Sequence, residues 1–168
     1  MTSLARSSGF ISTEFRVRGV PAVLASFFGS GLVLGRIRGN DAGSGTIGAL
    51  VAGLIAYVLP PIWGRLTAFV VVVVLGLWAT SRLGLHDDDP GWVVIDEAAG
   101  TFLATVGLGP MAMIVAFVVF RAADIGKRWF PGVAAAESIG GPVGIMADDV
   151  LAGIYGLAAG WLFQATVF

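Results

Sequence analysis

Long apolar stretches separated by short polar segments are the feature that most restricts how this chain can fold. Five of them have the length of a helix, at residues 47–59, 62–81, 92–108, 111–125 and 150–168. A sixth, residues 20–34, is shorter and contains Pro21, Gly29 and Gly31. About 20 apolar residues cross a hydrocarbon core of about 30 Å, and shorter helices cross where the bilayer thins. The pattern predicts an all-α integral membrane bundle of about five membrane helices, preceded by a short re-entrant or interfacial helix.

The composition agrees with a membrane-embedded chain and excludes several functions. Of the 168 residues, 57% are hydrophobic and 12% are charged, about half the charged fraction of a typical soluble domain. The net charge of −1 offers no basic surplus for nucleic acid. The absence of cysteine excludes a disulfide framework, a thiolate metal site and a cysteine nucleophile. We expect a basic N-terminal segment at residues 1–19 and a single membrane-embedded domain at residues 20–168.

The charged residues are predicted to lie on one side of the membrane. If the first stretch is re-entrant or interfacial and the five later stretches cross, the N-terminus and residues 36–46, 82–91 and 121–149 share a side that holds every charged residue except Arg65. If the first stretch crosses, only the N-terminal charges move to the other side. Basic residues beside the spans mark the cytoplasmic side. Those on the shared side include Arg36, Arg38, Arg82, Arg121, Lys127 and Arg128. The sequence therefore predicts a multi-pass protein of the cytoplasmic membrane whose polar motifs face the cytoplasm.

Five acidic side chains lie beside or within apolar stretches. They are the adjacent pairs Asp96–Glu97 and Asp148–Asp149, and Asp124, which lies one turn after Arg121. A helix beginning near Trp92 would place Asp96 and Glu97 inside an apolar pattern, where they cannot act as caps. Unpaired carboxylates at membrane depth are costly, and a hard cation such as Mg²⁺ would compensate them through oxygen ligands. These acids predict a Mg²⁺ site.

Simpler structural explanations are available for some of the acids. Asp148 could cap the N-terminus of the last helix, where aspartate is favoured and suits the helix dipole. Arg121 and Asp124 could form an ordinary ion pair three residues apart on a helix. The acidic run at residues 87–89 is typical of a solvated turn.

A glycine-rich segment and a basic segment indicate phosphate binding. Ser44 and Thr46 lie among the three glycines of residues 43–48, directly before an apolar stretch. Backbone N–H groups at such a helix N-terminus can hold an anion. Lys127 and Arg128 offer positive charge to a phosphate or to anionic lipid headgroups.

Elimination narrows the chemistry. His86 is the sole histidine, which excludes a phosphohistidine mechanism with a second histidine, and no Walker-type motif is present. What remains is a metal-activated water with a carboxylate as base, or an aspartyl-phosphate intermediate. The alternatives from other classes are a cation- or proton-coupled transporter using the same acidic cluster, and a non-catalytic scaffold.

The motifs together resemble one known family. FFGSGL, GSGTIGAL, HDDDPGWVVIDEAAG, FRAADIGK and GGPVGIMADDVLAG occur in the order typical of the phosphatidylglycerophosphatase A family and cover residues 25–156. The resemblance implies a Mg²⁺-dependent lipid phosphatase of the bacterial inner membrane, with its active site facing the cytoplasm. Its substrate would be the membrane phospholipid phosphatidylglycerophosphate, dephosphorylated to phosphatidylglycerol in glycerophospholipid biosynthesis. Residues 20–168 would then be one phosphatase domain.

The resemblance also implies roles for individual residues. The family's DE pair falls on Asp96 and Glu97, its DD pair on Asp148 and Asp149, its D-x-x-K on Asp124 and Lys127, and its loop threonine on Thr46. We predict catalytic roles for Asp96, Glu97, Asp124 and Asp149. We predict metal binding by Asp96, Glu97, Asp148 and Asp149. We predict substrate phosphate binding by Ser44, Thr46, Arg121 and Lys127.

Three loop positions depart from the family pattern. Ala49 stands where the family's G-T-x-G-S loop has serine, and GSG at residues 43–45 replaces its usual A-P-G. After Lys127 the family usually continues as K-P-x-P, whereas this chain reads KRWFP. All of these departures leave the acids intact.

Overall fold

The computed structural model describes residues 19–85 and 90–167. These ranges contain helices and turns and no strand, which confirms the all-α prediction. Their α-helices are α1 (Val20–Ala25), α2 (Val33–Arg38), α3 (Ser44–Val58), α4 (Trp63–Leu83), α5 (Ile95–Ala104), α6 (Pro110–Ile125), α7 (Val133–Glu137) and α8 (Gly141–Val167). Short 3₁₀ helices lie at Ser30–Leu32 and Lys127–Trp129. The predictions for residues 1–18, for His86 and for the acidic turn at residues 87–89 concern positions outside the described residues.

The first apolar stretch folds as two short helices joined by a tight turn. Phe27, Phe28 and Gly29 all have positive φ angles, of 44°, 59° and 89°. The amide of Phe28 donates to the carbonyl of Val23 at 2.8 Å, which closes the turn. α1 and α2 have six residues each and rise about 9 Å, so neither alone could cross a bilayer.

Five helices run back and forth between the two ends of a bundle. At one end, the loop after α5 meets the loop before α4 and the end of α8: the Gly107 amide donates to Pro61 O at 2.8 Å and the Gly109 amide to Gln164 Oε1 at 2.7 Å. At the other end, Arg121 near the end of α6 reaches the start of α3 through Thr46. α5 is the most enclosed helix and packs against α3, α4 and α8.

Glycine positions allow α8 to approach its neighbours closely. A Cβ on Gly153 would lie 2.7 Å from Gly100 O of α5, and one on Gly156 would lie 2.6 Å from Ala116 O of α6. Any side chain at these points would force the helices apart. Small residues at helix contacts let backbones come together in membrane bundles.

Two helices begin at different residues from those predicted. α5 begins at Ile95 rather than near Trp92, because the preceding residues lie against α1, with the Val94 amide donating to Ala25 O at 2.9 Å. α8 begins at Gly141 rather than near Val150, because its G-G-P start is accommodated at the helix N-terminus. Asp148 therefore lies well inside α8, and the prediction that it could cap this helix is wrong.

The apolar surface of the bundle faces outward. Among the described residues, α4 and α8 are the helices long and apolar enough to cross a membrane. Large aliphatic side chains on their surfaces are exposed, including Val70, Val71, Val74, Ile154 and Leu162. The interior is built mostly from alanine, glycine and a few larger side chains. Contiguous exposed apolar surface of this kind marks contact with a membrane or a partner, and with these two helices it indicates a membrane-associated protein.

Arg65 closes the end of the bundle opposite the acids. Its side chain is 4% exposed, and its guanidinium donates to Ala56 O at 2.8 Å, Thr105 O at 2.6 Å and Leu108 O at 2.8 Å. Ala56 is in the last turn of α3, and Thr105 and Leu108 follow α5. Carbonyls at helix C-termini lack intrahelical donors, so a cation there both satisfies and stabilises them.

Candidate active site

Three of the predicted acids come together between α5 and α8. Asp96, Glu97 and Asp149 each offer a carboxylate oxygen, and these oxygens all lie within 4.8 Å of one another. We call these residues the acidic trio. The three carboxylates come together because α5 and α8 pack closely: a Cβ on Gly100 would lie 2.7 Å from Asp149 O. Two pairs of acids that are 52 positions apart in sequence thus contribute to one cluster.

The acidic trio is largely buried, and Asp149 is its most enclosed member. Asp149 is 2% exposed, and neither of its carboxylate oxygens has a hydrogen-bond partner among the described residues. Asp96 is also buried, and Glu97 is half-buried. Carboxylates removed from water without a compensating charge or donor are strongly unfavourable. Because carboxylate oxygens are the preferred ligands of hard cations, the trio could bind a metal ion.

The trio is recessed from the end of the bundle. Asp148 and Asp149 lie seven and eight residues after the first residue of α8, which corresponds to about 10 Å along the helix axis. On α4, a Cβ on Gly76 would lie 3.4 Å from Ile95 beside the trio, and Gly76 is seven residues before the end of that helix. Both helices therefore extend about 10 Å beyond the level of the acids.

Arg121 links three of the predicted site segments. Its Nη1 pairs with Asp124 Oδ2 and lies 3.9 Å from Glu97 Oε1, while its Nη2 donates to Thr46 Oγ1 at 3.3 Å. The predicted pair between Arg121 and Asp124 is therefore present. The same guanidinium also joins the end of α6 to the starts of α3 and α5, so its role exceeds that of a surface ion pair.

The glycine-rich segment approaches the site through side chains rather than through a row of free amides. The amides of Thr46 and Ile47 donate to Gly43 O, and the amide of Ser44 donates to Asp41 O at 2.9 Å. These groups are already used, so the backbone cradle expected here is largely occupied. The Ser44 hydroxyl is fully buried and has no hydrogen-bond partner among the described residues.

Gly45 gives a direct test of the contact between α3 and the trio. A Cβ at this position would lie 1.9 Å from Glu97 Oε1, so Gly45→Ala must displace that carboxylate. Because misplacement of a catalytic group by about 1 Å can cost about 100-fold in rate, we expect kcat to fall by about that factor. Activity assays of the purified variant, alongside circular dichroism, measure this.

Gly53→Ala is the matched control on the same helix. Its added Cβ would meet only Thr101 Cγ2, at an ordinary 3.8 Å. We expect near-normal activity and slightly higher stability from the better helix propensity of alanine. Equal activity of the two variants would show that kcat does not depend on the position of the Glu97 carboxylate.

Lys127 sits between two carboxylates rather than in the trio. Its Nζ donates to Asp148 Oδ2 at 2.6 Å and to Glu137 Oε1 at 2.7 Å. Burial lowers the pKa of Lys127, but the two carboxylates outweigh this and hold the pKa above its ordinary value. Asp148 thus points to Lys127, and its predicted role as a metal ligand stays a prediction. Sequence reasoning missed Glu137, which no motif or spacing singles out.

The fold and the site together define a membrane-associated helical protein. Its acidic trio could bind a cation, and the nearby Arg121 and Lys127 could bind an anion. A family model described as phosphatidylglycerophosphatase A matches residues 23–164, and the chain belongs to this family. Membership, with the relatives below, makes the chain a phosphatase enzyme.

The chain is similar to three named bacterial proteins. Phosphatidylglycerophosphatase A of Escherichia coli is 28% identical, with 97% of this chain and 93% of that protein covered. The protein of the same name from Haemophilus influenzae is 31% identical, covering 84% and 87%. A protein of Bacteroides thetaiotaomicron, provisionally named phosphatidylinositol-3-phosphatase, is 35% identical, covering 81% and 88%. No solved structure matches the chain.

Proposed function

We propose that the protein is a Mg²⁺-dependent lipid phosphatase that hydrolyses the phosphate monoester of phosphatidylglycerophosphate and releases phosphatidylglycerol. The observation that carries the proposal is the acidic trio, in which both oxygens of the buried Asp149 lack a hydrogen-bond donor among the described residues. Arg121 and Lys127 lie beside it and suit a phosphate. The family supplies the substrate.

The donor set of the trio fits Mg²⁺. All three groups are carboxylates, which suit a hard cation that keeps part of its water shell. Asp96, Glu97 and Asp149 would hold the ion, and Asp148 is a further predicted ligand. When bound, Mg²⁺ supplies a Lewis acid for the phosphoryl oxygens and lowers the pKa of water.

The protein's own residues would bind and orient the substrate. Arg121, held by Asp124 and Thr46, would present its guanidinium to the phosphate, and Lys127, held by Asp148, would add its ammonium. The Ser44 hydroxyl has no partner among the described residues, and its predicted role as a further donor to the phosphate would require the buried hydroxyl to become accessible to the substrate. Glu97 is the least buried member of the trio, and its Oε2 would accept the proton of the attacking water. Asp124 would act by fixing Arg121 or as a second base.

The membrane arrangement belongs to the same proposal. We infer that α3, α4, α6 and α8, together with the stretch 92–108 that contains α5, cross the bacterial inner membrane and that the site faces the cytoplasm. Exposed aromatic residues lie near both ends of the bundle, Tyr57 and Trp63 near Arg65, and Trp78 and Trp129 near the site. Tyrosine and tryptophan concentrate at membrane interfaces, and basic residues concentrate on the cytoplasmic side. Residues 20–168 would form the single phosphatase domain.

A phosphorylated inositol lipid is the second candidate substrate. The relative from Bacteroides thetaiotaomicron carries a name that gives phosphatidylinositol 3-phosphate as its substrate. Both lipids present a phosphate monoester on a polyol, so the same acids and basic groups would serve either of them.

The deciding experiment is phosphate release by the purified protein in detergent, with each lipid in turn. We expect release from phosphatidylglycerophosphate with Mg²⁺, loss of release with EDTA, and recovery when Mg²⁺ is added in excess. Faster release from phosphatidylinositol 3-phosphate would transfer the assignment to that lipid. No release from either lipid by a folded protein would overturn the proposal, and a cation or proton flux in liposomes would then support the transporter alternative.

A further inference from the structure

A cleft of about 530 Å³ opens beside the site, where α6 ends. Its walls include Ile125, Lys127, Arg128, Trp129, Ala134 and Glu137. The residues come from the end of α6, the 3₁₀ helix that follows it and the short helix α7. Arg128 and Trp129 belong to the KRWFP segment, residues 127–131.

Lys127 is a wall shared by the cleft and the acidic site. Its Nζ contacts Glu137 of the cleft at 2.7 Å and Asp148 at 2.6 Å. Asp148 in turn precedes Asp149 of the trio in α8. A ligand in the cleft would therefore be separated from Asp148, the neighbour of Asp149, only by the Lys127 side chain.

The other polar groups of the cleft are open to a ligand. Arg128 is exposed and forms no ion pair with any described residue. The Glu137 side chain is 53% exposed even though it accepts from Lys127. Trp129 is 87% exposed, which is unusual for an indole that faces only water. The cleft thus combines a free cation, an accessible acceptor and an interfacial aromatic group.

We propose that this cleft binds the phosphodiester and the polyol of the substrate lipid, with Arg128 on the phosphodiester. The inference rests on the proposed function, because a lipid with a terminal phosphate monoester carries a second phosphate that the reaction leaves intact. A guanidinium pairs well with phosphate oxygens, and Glu137 can accept a hydrogen bond from a headgroup hydroxyl. Trp129 would lie at the level of the glyceride backbone, where tryptophan is favoured.

In this assignment the cleft binds the headgroup and the acidic trio carries out the hydrolysis. The cleft would select monoesters that are attached to a phosphodiester, whereas the acidic trio would act on the monoester itself. Phosphatidylglycerol keeps the phosphodiester and the polyol, so the product would compete for the cleft. Diacylglycerol lacks both groups and would not.

The test compares Arg128→Gln with Arg38→Gln. Arg38 is exposed at the end of α2 and outside the cleft, so its loss removes the same charge without the proposed contact. For Arg128→Gln we expect the KM for phosphatidylglycerophosphate in mixed micelles to rise about tenfold, as for the loss of a hydrogen bond to a charged group. The inhibition constant of phosphatidylglycerol should rise by a similar factor, and Arg128→Lys should restore part of both.

The outcomes distinguish this inference from the proposed function. Equal KM values for Arg128→Gln and Arg38→Gln would reduce the effect to general surface charge and overturn the cleft assignment alone. Inhibition by diacylglycerol as strong as that by phosphatidylglycerol would also overturn it. No phosphate release from the lipid by the wild-type protein would remove the proposed function and the cleft assignment together.

Discussion

Asp149→Asn is expected to reduce kcat on the order of 10³-fold while the protein remains folded. Asp149 is the most enclosed member of the acidic trio, and both its carboxylate oxygens lack a donor among the described residues. Replacing one oxygen by an amide would remove a proposed cation ligand and introduce two N–H donors. Loss of one preorganised electrostatic group in a catalytic site costs about 10²–10³ in rate. Phosphate release at saturating lipid and Mg²⁺ measures the effect, and Asp96→Asn should behave in the same way.

The fold should not suffer from this change. The amide is close in shape to the carboxylate, and it removes a negative charge from a buried cluster of like charges. We expect thermal unfolding in EDTA, followed by circular dichroism, to show a midpoint at or above that of the wild type. Asp41→Asn, which neutralises an acid outside the trio near the same end of the bundle, is the matched control. Turnover by Asp149→Asn within a few-fold of the control would remove Asp149 from the site.

Arg65→Met is expected to destabilise the bundle by about 3–5 kcal/mol. The substitution keeps an apolar stem but leaves the carbonyls of Ala56, Thr105 and Leu108 without their shared donor. Each buried carbonyl that loses its donor costs about 1–3 kcal/mol. Removing one partner of a buried charged interaction typically costs about 3–5 kcal/mol in total. Titration of the detergent-solubilised protein with sodium dodecyl sulfate, followed by helicity, measures the free energy of unfolding.

Two further variants show whether the hydrogen bonds are responsible. Arg65→Lys keeps the charge, but a compact ammonium cannot reproduce the planar fork of donors, so its stability should lie between those of the wild type and Arg65→Met. Arg82→Met on the same helix removes an exposed arginine that lies over the Trp78 ring at 5.7 Å. It should cost less than about 1 kcal/mol. A loss for Arg65→Met no larger than that for Arg82→Met would contradict the role of Arg65.

The helical class could be predicted from the sequence because apolar periodicity is a local property. The runs now seen as α3, α4 and α6 were located to within about three residues of their observed ends. The starts of α5 and α8 were predicted less accurately. The start of α8 was missed because the segment before residue 150 is less apolar than the rest of the helix, and the start of α5 because a tertiary contact decides it. The Val94 amide bonds to Ala25 O, for example, and this delays the start of α5.

The candidate site was predictable as a set of residue types but not as a geometry. Asp148 and Asp149 are adjacent and looked equivalent in the sequence, yet successive residues on a helix point about 100° apart. One therefore faces Asp96 and Glu97, and the other faces Lys127. No sequence signal predicted the contact between Glu137 and Lys127, because it depends on where the tertiary fold places the short helix α7.

The sequence by itself determined which groups are available: apolar runs for a membrane, acids for a cation and basic residues for a phosphate. The tertiary structure decided which of them meet. Gly100 and Gly153 let α5 and α8 approach until the trio forms, and Gly45 leaves room for the Glu97 carboxylate against α3. The physical reason is that charge and hydropathy are properties of single residues, whereas close approach depends on the absence of a side chain at one particular point of contact between helices.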